Sequence, residues 1–115
     1  MPLSDQSKSY LSELIRLNKK DLIAIGYEKL SVTGTAAGLA SVPTDAKYAL
    51  VVVESTIASG MAIRYLEYGA APTTSDGIGR SNLDAFDIHG KPNMINFKAI
   101  QTGAGIHTLH IQYYK

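Results

Sequence analysis

From Asp21 onward, turn-forming residues interrupt the chain about every 8–14 residues, and the runs between them have the length of strands. "LIAIGYEKLSVT", "KYALVVVES", "MAIRYLEY", "NLDAFDIHG" and "IHTLHIQYY" are rich in β-branched and aromatic residues, which suit a pleated, half-buried surface. Gly26 interrupts the first run and reads as a bulge or bend. Beyond it, Leu30 and Val32 point one way, while Lys29, Ser31 and Thr33 point the other. "KYALVVVES" is apolar on both faces, which predicts a central strand. In the next run Met61, Ile63 and Tyr65 share one face, and Ala62, Arg64 and Leu66 the other. The last run sends Leu109, Ile111 and Tyr113 inward and Thr108, His110 and Gln112 outward. "GTAAGLASVPTDA" is turn-rich, with a short strand expected at 38–41. "KPNMINFKAI" reads as a further strand after a turn at Gly90, Lys91 and Pro92. No helical pattern follows Asp21, so nothing is there to cover a parallel sheet. The expected fold is an all-β antiparallel sandwich of seven to eight strands over residues 22–115, jelly-roll or immunoglobulin-like in topology.

Residues 1–21 have a different period. Tyr10, Leu11, Leu14, Ile15 and Leu17 approach i, i+3, i+4, i+7 spacing and predict a short helix. Ser7 or Ser9 can cap it, and Lys19 and Lys20 complement the negative end of its dipole. A helix of about three turns is marginal alone in water, so its apolar stripe has to dock. It docks either on its own domain or, as an arm, on a neighbouring subunit.

The chain has 115 residues, the size of one domain. It has no cysteine, which removes disulfides and thiolate metal sites. The net charge is +1, and Lys19-Lys20 is the one basic doublet, so nucleic-acid binding is not expected. No apolar run approaches the ~20 residues of a membrane-spanning helix. The start "MPLSDQSKSY" lacks an apolar run behind a charged one, so a Sec signal is not expected and the chain should fold where it is made.

Catalytic signatures are thin. His107 and His110 have opposite strand parity and project from opposite faces, so with His89 they do not converge on a metal. "GxSxG" is absent, and Ser59-Gly60 and Ser75-Asp76-Gly77 are turn chemistry. Asp84 and Asp87 differ in parity. Glu54 and Glu67 end what read as adjacent strands, and either would be the acid of a small hydrolase. "GIGR" at 77–80 is not followed by the helix a phosphate loop needs. No catalytic, cofactor or metal residue is assigned. Seven tyrosines against two phenylalanines and no tryptophan stand out instead. Outward tyrosines such as Tyr68 and Tyr114 offer contact area at low entropic cost, to a protein partner or to a sugar. The long stretch "GAAPTTSDG" after Tyr68 likewise reads as a contact loop.

From about Leu30 onward the chain resembles small structural proteins of tailed bacteriophages and prophages. The resemblance is carried by Val32-Thr33, Pro43, the strand at 49–53, Arg64-Tyr65, Gly69, Pro72-Thr73, Gly77, Leu83, Asn96-Phe97 and Tyr113-Tyr114. Tyr68-Gly69 departs from a pattern that more often has Asp-Gly there. The resemblance implies a non-enzymatic virion protein made in the host cytoplasm. Its place would be that of an auxiliary capsid (decoration) protein, or of a collar or tail component. Its partners would be further copies of itself and other virion proteins such as the major capsid protein. It also implies a structural role for Arg64 beside the Pro72-Thr73 loop. The expected interface residues are therefore Tyr10, Leu11, Leu14, Ile15, Leu17, Arg64, Tyr68 and Tyr114. A carbohydrate-binding or adhesin module and a small hydrolase are the alternatives.

Overall fold

A computed structural model describes residues 22–115. Its elements in chain order are β1 (Ala24–Val32), β2 (Ala37–Gly38), β3 (Tyr48–Ser55), β4 (Met61–Leu66), β5 (Ile78–Ser81), β6 (Ala85–His89), α1 (Lys91–Asn96), β7 (Lys98–Gln101) and β8 (His107–Tyr114). They build two four-stranded sheets, β1-β8-β3-β6 and β2-β7-β4-β5. Strand β1 pairs with β8, β2 with β7, β3 with β6 and β4 with β5, all antiparallel. That nesting is one long hairpin rolled over on itself, the jelly-roll form of the sandwich. Of the two topologies left open by the sequence, the strand order selects this one. The expected helix of residues 1–21, with Tyr10, Leu11, Leu14, Ile15 and Leu17, lies outside the described residues.

Alternation builds the core as the sequence predicts. Strand β3 lies between β8 and β6 and buries Ala49, Val51 and Val53, with Leu50 and Val52 half-buried on its outer side. Strand β8 buries His107, Leu109, Ile111 and Tyr113, and β1 contributes Leu30 and Val32. Ile63, Tyr65 and Ala99 enter the core from the second sheet. Tyr65 stacks on Phe86 of the first sheet at 4.3 Å between ring centres and 5° between planes, and on Phe97 at 5.4 Å. Each such pair adds about 0.5–1.5 kcal/mol beyond its area.

Several expectations are corrected. Gly26 does mark a register shift in β1, but β4 carries a second one between Met61 and Ile63. Ala62 and Ile63 are consequently both buried, and Met61 sits at the surface. Its thioether fills the space a side chain at Gly79 would need. "MINF" is not strand. Residues 91–96 form α1, with Pro92 in its first turn, where the missing N–H costs nothing. Met94 and Phe97, three residues apart, turn inward. "IGRS", read as loop, is β5, and the short strand expected at 38–41 is Ala37–Gly38. The loops at 33–36, 56–60, 82–84 and 102–106 gather at one end of the sandwich, and those at 39–47, 67–77 and 90–97 at the other.

Candidate contact surface

The long loop at 67–77 folds back on its own sheet. Arg64, on the outer side of β4, donates from Nη1 to Gly77 O at 2.8 Å and from Nε to Thr74 O at 3.1 Å. Thr73 Oγ1 accepts the N–H groups of Ser75 and Asp76 at 3.2 and 2.9 Å, while the Thr73 N–H donates to Asp76 O at 2.9 Å. Pro72 is buried. Gly77 has φ +133°, and a Cβ there would fall 3.1 Å from the Cβ atoms of both Arg64 and Pro72. These bonds tie residues 73–77 to one another and to β4. Arg64 thus ties β4 to this loop.

What the loop presents outward is Tyr68, 74% exposed. The next residue, Gly69, lies against α1: a Cβ there would be 3.8 Å from the Asn96 side chain. While Met94 anchors α1 in the core, Ile95 stands 58% exposed. Ile78 and Ile23 are exposed at the same end. Beside the start of α1 lies an open cavity of about 430 Å³ lined by Thr44, Asp45, Ala46, Lys47 and Lys115. Lys91 Nζ donates to Thr44 O at 2.9 Å, and the Gly90 N–H to Lys47 O at 2.8 Å, which tie α1 to that cavity. Ile23 and Lys115 exchange two backbone hydrogen bonds of 2.9 Å at this same end. The sequence singled out Tyr68 but not Ile95, whose exposure follows from the unforeseen helix.

Tyr114 ends β8 at the same end, half-buried on the outer face of the β1-β8-β3-β6 sheet. It meets Tyr48 at 5.3 Å and 57°, and Tyr48 is 7% exposed. Burial first, then its 2.5 Å hydrogen bond to Asp87 Oδ1, pushes the Tyr48 phenol well above its ordinary range. The two rings form no flat platform of the kind a sugar stacks on.

Glu54 and Glu67 do not end adjacent strands. Strand β3 ends and β4 begins at the same end of the sandwich but in different sheets, and β4 then runs the length of the fold. Glu67 thus lies at the far end, where burial pushes its carboxyl upward and His89 partly offsets that. Glu54 accepts from His110 instead. His107 is buried and His110 faces out, as their parity predicts.

Scans against family models, curated proteins and solved structures return no match to this chain.

Proposed function

We propose that this chain is a non-enzymatic component of a tailed-bacteriophage particle, an auxiliary capsid (decoration) protein that works through contacts with further copies of itself and with the major capsid protein. The observation that supports it best is the exposure of Tyr68 and Ile95 on two segments that meet where Gly69 lies against Asn96, one clamped by Arg64 and the other anchored by Met94. Fully burying one large apolar side chain contributes about 1.5–3 kcal/mol. That is weak for one contact, but repetition over a symmetric lattice multiplies it. Preformed loops add to this by removing the ordering cost of binding.

Mass spectrometry of purified particles tests the reading directly. Hundreds of copies per particle are expected, in ratio to the major capsid protein. A handful would move the protein to a collar or tail, and absence from particles would end the proposal. The double variant Tyr68→Ser, Ile95→Ser should lose particle binding with an unchanged β-sheet circular dichroism spectrum. Leu14→Asp, in the predicted helical stripe, should do the same if that stripe is an arm between subunits.

A further inference from the structure

Two imidazoles on β8 each face a hydroxyl through Nδ1, in opposite surroundings. His107 is buried between Ser55 Oγ, 2.8 Å from Nδ1, and Gly103 O, 2.9 Å from Nε2. Ser55 Oγ also accepts the Ile57 N–H at 3.0 Å. That group holds the turn after β3 and is closed to any reagent.

His110 projects outward. Tyr27 Oη lies 2.7 Å from its Nδ1, and Glu54 Oε1 lies 2.9 Å from its Nε2. The register explains the meeting. His110 is opposite Lys29 on β1 and Val52 on β3, so Tyr27 and Glu54 are its diagonal neighbours, each two residues along. Diagonal neighbours on one sheet face come within reach of long side chains. The Tyr27 and His110 rings also stack, at 6.2 Å and 23°.

The direction of the hydrogen bonds follows from the groups themselves. An ionised carboxylate can only accept, so Nε2 carries the hydrogen. The neutral imidazole then offers a lone pair at Nδ1, and the phenol donates to it. This is the order of groups that activates a hydroxyl nucleophile: a base beside it, and a third residue orienting the base. Tyr27 is 58% exposed and the Glu54 side chain 68%, so the cluster stands on the open face of the sheet.

We propose that Tyr27 is a modification site, a nucleophilic phenol activated by His110, that takes acyl or sulfonyl groups from activated donors; Glu54 is the positioning residue. The phenol oxygen attacks the electrophilic carbon or sulfur and forms the new O–C or O–S bond. The leaving group departs with the electron pair of the bond that breaks. The phenolic proton passes to Nδ1, and Glu54 balances the imidazolium so formed. With an aryl sulfonyl fluoride the bond that breaks is S–F, and fluoride leaves. General-base assistance within an enclosed site contributes about 10²–10⁴-fold; on an open sheet face about tenfold is expected.

The full-length protein supplies its own control, because Tyr68 is more exposed than Tyr27. Treatment with an aryl sulfonyl fluoride, read by tandem mass spectrometry over time, should label Tyr27 about tenfold faster than Tyr68. His110→Phe and Glu54→Ala should bring Tyr27 down to the Tyr68 rate. The pH profile of Tyr27 labelling should bend where an imidazole loses its proton, and the bend should vanish in His110→Phe. Labelling of Tyr27 no faster than Tyr68 overturns the proposal, even if a variant fails to fold. So does a folded His110→Phe protein that keeps the excess rate.

Discussion

Strands β1, β3 and β8 run nine, eight and eight residues, whereas β2, β5 and β7 run two, four and four. The longer sheet is held mainly by alternation, broken in β1 near Gly26 and softened in β3, whose outer side is half-buried. The shorter sheet has too few residues for alternation to fix its register. It depends on particular contacts instead: a bulge at Met61, a glycine where Met61 needs room, and a loop clamped by Arg64. One sheet is specified by a pattern and the other by individual residues. Substitutions should therefore fail for different reasons in each.

The largest effect is expected from truncation inside the patterned sheet. Ile111 is fully buried, and Ile111→Ala should cost about 3–4 kcal/mol through lost transfer energy and the cavity left behind. Denaturant unfolding measures it; a cost under about 1 kcal/mol would mean that the long sheet is not the stronger one.

Next comes the clamp on the shorter sheet. Gly77→Ala introduces a Cβ at positive φ, 3.1 Å from two neighbouring Cβ atoms. About 2 kcal/mol is expected, within the range for strained backbone positions. Amide exchange should also accelerate at residues 73–76 while protection in β3 and β8 stays as it was. Uniform loss of protection would show that the loop and the long sheet unfold as one.

The smallest effect is alkaline and belongs to the long sheet. Tyr113 hydrogen-bonds the Glu28 carboxylate, which also accepts the N–H groups of Ala40 and Ser41. Burial first, and Glu28 second, pushes the Tyr113 phenol above its ordinary range, as burial and Asp87 do for Tyr48. A phenol raised in the folded state favours the neutral form there. Its contribution is complete below the ordinary phenol pKa of about 10 and is lost as pH rises beyond it, because the unfolded chain ionises first. Melting temperature should fall above about pH 10, less steeply in Tyr113→Phe, which at neutral pH should cost about 1 kcal/mol. An unchanged slope in that variant would remove the assignment.

The same division decides how much could be read from the sequence. The facing of Leu109, Ile111 and Tyr113, the interior place of β3 and the irregularity at Gly26 all follow from period two and from glycine's freedom. The bulge at Met61 does not, because nothing local separates a run that slips by one residue from one that does not. Helix α1 left a faint mark, Met94 and Phe97 three apart behind Pro92, but six residues are too few for a helical period to emerge. At the candidate contact surface Tyr68 was legible as a tyrosine beside a loop. Ile95 was not, since its exposure depends on the helix that carries it. The Tyr27–His110–Glu54 chain needed the register of three strands, which period alone does not supply.

The nested pairing has a kinetic consequence. Residues 24–32 find their partner only at 107–114, so β1 cannot be locked until nearly the whole domain has been brought together. Contacts of that separation make folding slow relative to its stability. The innermost pair, β4 with β5, spans the shortest loop between paired strands, so the Arg64 clamp is expected to form early and the Ile23–Lys115 seam late, an order that φ-values at Arg64 and Ile23 would check.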